Sequence, residues 1–131
     1  MDRHELMVGD WIETLNQNNE VCRVQVNELQ DKQVSFYYQN HYYLGATCEN
    51  VKPVALTKEM LEKNGFEFFD SSYFNDVVSI TFFSTGIYFI CHVYKGEVCD
   101  VIERHINYVH ELQHLLRLCE LTDMANNFKI E

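Results

Sequence analysis

Val78-Ser79-Ile80-Thr81-Phe82-Phe83-Ser84-Thr85-Gly86-Ile87-Tyr88-Phe89-Ile90-Cys91-His92-Val93 decides the fold class. Val78, Ile80 and Phe82 share one side of an extended chain, and Ile87, Phe89, Cys91 and Val93 share one side of the segment that follows. Side chains alternate across a strand, so this period of two predicts half-buried β-strands. Ser84-Thr85-Gly86 predicts a three-residue hairpin with glycine in the left-handed position. Lys95-Gly96 predicts a second turn into Val98 to Ile102, which completes a three-stranded β-meander.

Toward the C-terminus the period changes. With Ile106 set at zero on a helical wheel, Tyr108, Val109, Leu112, Leu115, Leu116 and Cys119 fall roughly between 180° and 300°. This predicts a C-terminal amphipathic helix from about Ile106 to Glu120, capped by Asn107, with its Val109, Leu112, Leu116 and Cys119 stripe packed on a sheet. Residues 121–131 are expected to form a mobile tail.

Toward the N-terminus, Pro53 ends an extended region, and Thr57 fits an N-cap for a short helix over about Lys58 to Asn64. Gly65 stands where a C-terminal glycine belongs. Ahead of that helix, Trp11-Ile12, Val21 to Val26, Val34 to Tyr38 and Tyr42-Tyr43 read as short strands. The turn signals between them are Asn16 to Asn19, Asp31-Lys32 and Asn40-His41. The expected class is therefore α+β: an N-terminal small antiparallel β-sheet or SH3-like barrel, a short helix, a β-meander and a C-terminal amphipathic helix. One domain spans 1–131, with an N-terminal β subdomain at about 6–52 and the remaining elements at about 53–120.

Composition narrows the function classes. Twenty acidic residues against ten basic ones give a formal net charge of −10, which repels phosphate backbones and argues against nucleic acid as a partner. No apolar run is long enough to span a bilayer, and the charged start Met1-Asp2-Arg3-His4-Glu5 does not read as a signal peptide. Five cysteines, an odd number without C-x-x-C spacing, point to buried thiols in a reducing, cytoplasmic setting. The glycines are isolated, so no phosphate-cradling loop is encoded. His41, His92 and His105 stand alone, and Asp70-Ser71-Ser72 reads as turn chemistry without a nucleophile elbow.

Leu6-x-x-Gly9-Asp10-Trp11-Ile12, the run from Val51 to Phe66 that includes Val51-Lys52-Pro53-Val54-Ala55-Leu56-Thr57, and Ile106-Asn107-Tyr108-Val109-His110-Glu111-Leu112-Gln113-His114-Leu115 occur in this order. Together they resemble an uncharacterised family of small proteins found in Bacteroides-type gut bacteria and their phages. The resemblance covers about residues 6 to 118 and implies an origin and an architecture, not an activity. Members of that family tend to carry Gln at the place of Glu111 and Asn at that of His114. The resemblance thus implies that the metal-like spacing here is incidental.

That spacing is His110-Glu111-Leu112-Gln113-His114, a literal H-E-x-x-H. On a helix, histidines four apart lie on one side and can share a zinc ion, with the glutamate as general base on the metal-bound water. A third ligand is harder to find. Glu120 lies six residues past His114, but Arg117 stands where a chain-turning glycine is needed. On the wheel the two histidines fall near 40° and 80°, almost opposite the apolar stripe, so both are expected to face water.

The other constellation is aromatic. Phe36, Tyr37, Tyr38, Tyr42 and Tyr43 cluster around a turn, and alternation sends about half of them to the outer side of the sheet. Tyr37, Tyr42 and Tyr43 are the expected contact residues, since exposed tyrosine offers wide contact at little rotamer cost. The expected function is non-catalytic binding of a protein, as a phage or mobile-element accessory engaging a host protein, with no cofactor. The alternatives are a small zinc-dependent hydrolase, with His110 and His114 as ligands and Glu111 as base, and an oligomeric small-ligand-binding protein.

Overall fold

The computed structural model describes every residue except Asp2, Gln17 and Asn40, and describes the backbone but not the side-chain environment of Arg3, Leu44, Gly45, Ala46 and Cys48. The expected turn at Asn40-His41 lies partly outside the described residues. The chain is α+β, with two antiparallel five-stranded sheets. It divides into two compact units, Met1–Ala55 with Tyr108–His110, and Leu56–Asn107 with Glu111–Glu131. No helix among the described residues is long and apolar enough to cross a membrane.

The first unit holds β1 (Trp11–Leu15), β2 (Val21–Leu29), β3 (Gln33–Tyr38), β4 (His41–Thr47) and β5 (Lys52–Pro53) in the order β4-β3-β2-β1-β5. A short 3-10 turn, Cys48–Asn50, leads into β5. Strands β4 and β5 are the two edges, so the sheet is open, and of the two expected forms a closed barrel is not the one seen. Ile12, Cys22, Val24, Val26, Val34 and Phe36 form its buried core with Leu6 and Val51. The turn before β1 is built from its own residues. The Asp10 carboxylate accepts the Met7 N–H at 2.8 Å, and Gly9 supplies a φ of +94° that a side chain would strain. The Gly9 N–H then donates to the Val26 carbonyl at 2.8 Å, which joins the turn to β2.

The second unit begins with α1 (Lys58–Lys63), whose Thr57 hydroxyl accepts the Met60 N–H as expected of an N-cap. Its sheet has the order β10-β9-β8-β7-β6, from β6 (Glu67–Phe69), β7 (Ser72–Asn75), β8 (Val78–Phe83), β9 (Gly86–Lys95) and β10 (Val98–Ile106). The expected meander is present and wider than read. Asp70-Ser71 is the turn of an extra hairpin, with φ of +50° and +70° at two residues that rarely adopt such values. The β8–β9 turn also differs. Phe83 pairs with Gly86, so the loop is the two residues Ser84 and Thr85, and the glycine opens the next strand.

The C-terminal helix, α2 (Val109–Leu118), starts later than periodicity suggested because β10 runs on to Ile106. Two bonds set that start. The Val109 N–H donates to the Val54 carbonyl at 2.8 Å, and the Leu56 N–H donates to the Asn107 carbonyl at 3.1 Å. The predicted stripe is buried at all four positions. Cys119 meets the sheet, its thiol hydrogen-bonded to that of Cys91 on β9.

The final residues correct the expectation of a mobile tail. Thr122–Asn126 form α3, and Ala125, Phe128 and Ile130 are buried. The side chain of Asn64 holds the C-terminal end by both backbone groups of Lys129, donating to its carbonyl at 2.7 Å and accepting its N–H at 2.8 Å. Three apolar residues spaced through a polar segment were the signal for this, and it was too sparse for periodicity to register.

Candidate binding surface

Trp11, Tyr37 and Tyr42 lie on the side of the first sheet opposite its core. The parity follows from pairing: Ile12, Val24, Val26 and Phe36 point inward, so their neighbours Trp11, Gln25 and Tyr37 point outward. Tyr37 sits directly across from Tyr42, as Trp11 does from Gln25. The Tyr37 and Tyr42 rings lie 5.1 Å apart and tilted, and remain 59% and 44% exposed. Cross-strand aromatic pairs hold each other in place, which lowers the entropy each loses on binding.

A groove of about 420 Å³ runs along this side, lined by Trp11, Arg23, Gln25, Tyr37 and Gln39 among others. Its Gln25 is fixed, since the side-chain amide donates to the Gly9 carbonyl at 3.0 Å. The groove therefore offers the rings of Trp11, Tyr37 and Tyr38, amide groups and one guanidinium on a chain of net negative charge. A second cleft of about 370 Å³ lies around the β3–β4 turn, lined by Asn16, Glu20, Tyr38, His41, Tyr42 and Tyr43.

Tyr43 departs from the expected patch. It is on the inner side, stacked on Phe36 at 5.2 Å with the rings 14° from parallel, and packs against the core. Tyr43 also lines the second cleft. Trp11 was missed as a contact residue because it was read simply as the start of a strand. Its place in the row with Tyr37 and Tyr42 requires the strand register.

The helix motif is arranged differently from the expectation that both histidines face water. His110 is buried, at 6% exposure, with its ring stacked on Tyr108 at 5.9 Å, and His114 is half-buried. The wheel misplaced the covered arc because it weighted apolar residues alone. Gln113 is fully buried, its amide donating to the Ala125 carbonyl of α3 at 3.0 Å, which draws the covered arc toward the histidine flank. Glu111 is also engaged: its carboxylate accepts the Asn107 N–H at 3.0 Å, reaching back over the helix start in the manner of a capping box. Among the described residues no group of three or more His, Cys, Asp or Glu comes together as a metal site.

Comparison of the chain with family models, with curated proteins and with solved structures gives no match.

Proposed function

We propose that the protein is a non-catalytic interaction domain whose first unit binds an extended segment of a partner protein across the Trp11–Tyr37–Tyr42 side of its sheet. The carrying observation is the opposed, exposed Tyr37–Tyr42 pair beside a groove in which the Gln25 amide is held in place. Aromatic anchors flanked by amides and a guanidinium suit a peptide backbone, which needs hydrogen-bond partners along its length and flat surfaces for its side chains.

The strand order supports reading this unit as an SH3-like open barrel. Its first strand pairs with both the second and the fifth, and a 3-10 turn precedes the fifth. An accessory role in a phage or mobile element, directed at a cytoplasmic host protein, agrees with the family resemblance and with the acidic surface, which disfavours nucleic acid.

The test compares affinity capture from host lysates using the wild-type chain and a Tyr37→Ala/Tyr42→Ala variant. Both residues are exposed, so the variant should keep its circular dichroism and melting temperature. A partner retained by wild type should bind the variant at least roughly tenfold more weakly. Equal retention by both would reject this side of the sheet as the site. Failure to retain any protein from several hosts would reject the interaction reading.

A further inference from the structure

We propose that β10 is a homodimerisation edge, pairing antiparallel with β10 of a second copy about a two-fold axis at Ile102. This surface belongs to the second unit and is independent of the aromatic side of the first. Among the described residues β10 has a strand neighbour only on the β9 side, the Leu56 bond to Asn107 falling just past its end, and almost all of its residues are exposed. Long exposed edges are templates for further strand pairing.

The hydrogen-bonding direction of that edge follows from one bond. The His92 N–H donates to the Val77 carbonyl, away from β10. Val101, its cross-strand partner, therefore directs its own N–H and C=O to the free edge, and by alternation so do Cys99, Glu103 and His105. A second strand must pair through these odd-numbered residues.

Charge then selects the register. With the axis at Ile102, Asp100 of one copy lies opposite Arg104 of the other, and the same pair recurs by symmetry. Val101 and Glu103 exchange backbone hydrogen bonds on either side of the axis. An axis at Asp100 or at Glu103 sets like charges directly opposite, which is destabilising. An axis at Val101 pairs Asp100 with Ile102 and leaves Arg104 opposite Val98. Only the Ile102 register joins opposite charges, and it does so in the closely spaced, non-hydrogen-bonded positions where side chains approach best. In the single chain Arg104 covers an edge acceptor instead, donating to the Glu103 carbonyl at 2.6 Å. Pairing gives that carbonyl to the partner's Val101 N–H and turns the guanidinium to the partner's Asp100. The segment is thus complementary to itself, which identifies the occupant as a second copy.

The test is analytical ultracentrifugation over a wide concentration range, joined to a crosslink that reads the register. Wild type should dimerise reversibly. Asp100→Arg and Arg104→Asp should each weaken association at least roughly tenfold, and the double variant, which restores opposite charges, should recover most of it. In a Cys99→Ser background, Ile102→Cys should form an intermolecular disulfide when diamide oxidises the two thiols and is itself reduced to the hydrazine. Val98→Cys in the same background should not, because each Val98 lies four residues from the axis and the two are far apart. A wild-type chain that stays monomeric at every concentration would overturn the proposal. So would a dimer indifferent to both charge reversals, or one abolished by Tyr37→Ala/Tyr42→Ala. Circular dichroism of each variant, together with recovery in the double variant, separates lost pairing from lost folding.

Discussion

The Glu111 carboxylate accepts the backbone N–H of Asn107 at 3.0 Å, so the acidic residue of the H-E-x-x-H motif holds the start of its own helix. The first N–H groups of a helix have no partner within it, and a side chain reaching back over the terminus satisfies a donor at the point where the chain enters. A carboxylate there also opposes the positive end of the helix dipole.

Glu111→Ala is expected to destabilise the protein by about 0.5–2 kcal/mol, the range for a lost cap, and Glu111→Gln by less because an acceptor oxygen survives. Urea denaturation measures both. A catalytic base would instead leave stability nearly unchanged in the Gln variant while abolishing a hydrolytic activity. The melting temperature should not change on addition of EDTA.

Asn64 ties the C-terminal residues to α1 through three side-chain hydrogen bonds, one to the Met60 carbonyl at 2.7 Å and two to the backbone of Lys129. Asn64→Ala should cost about 0.5–1.5 kcal/mol, since only the bond to Met60 is part-buried and the two to Lys129 are exposed. Hydrogen exchange should show the loss first at the Lys129 amide. Asn64→Asp retains the acceptor but sets a carboxylate oxygen against the Met60 and Lys129 carbonyls, and should destabilise at least as much as Asn64→Ala.

The paired thiols of Cys91 and Cys119 set an alkaline limit. Burial, then the hydrogen bond and charge of Cys91, push the Cys119 thiol from its ordinary 9.0 up to about 12. Cys91 is pushed up as well, mainly by burial, although its bond to Cys119 works the other way. A raised folded-state value means that the folded chain holds the proton more tightly than the unfolded one. Its contribution is therefore complete below about pH 9 and is lost as pH rises toward about 12. The urea midpoint should fall over that window, and Cys119→Ala should flatten the fall while lowering stability at neutral pH through the cavity it leaves. Alkylation mapped by mass spectrometry should label the exposed Cys99 in the native protein and spare Cys22, Cys91 and Cys119.

The elements that were legible in the sequence were those with a strong, uninterrupted period. The β8 and β9 strands, the Thr57 cap and the stripe of α2 all stand where alternation and wheel geometry put them, because a strand or helix must turn one side to the core whatever surrounds it. Of the β6–β7 hairpin only the turn was legible, in Asp70-Ser71-Ser72. Its strands expose Phe68, Phe69 and Phe74, so no alternation marked them.

Residue chemistry by itself determined that the chain is α+β, that its apolar residues would form two sheets' worth of alternating strands, and that an H-E-x-x-H would fall on a helix. Only the tertiary structure decided what those residues face. Gln113 became interior once α3 lay beside α2, Tyr43 rather than Tyr42 turned inward because β3 brought Phe36 beside it, and Trp11 joined Tyr37 in one groove across strands far apart in the chain. The reason is physical: local conformation follows from short-range sterics and periodicity, whereas burial depends on which distant segment arrives to cover a side.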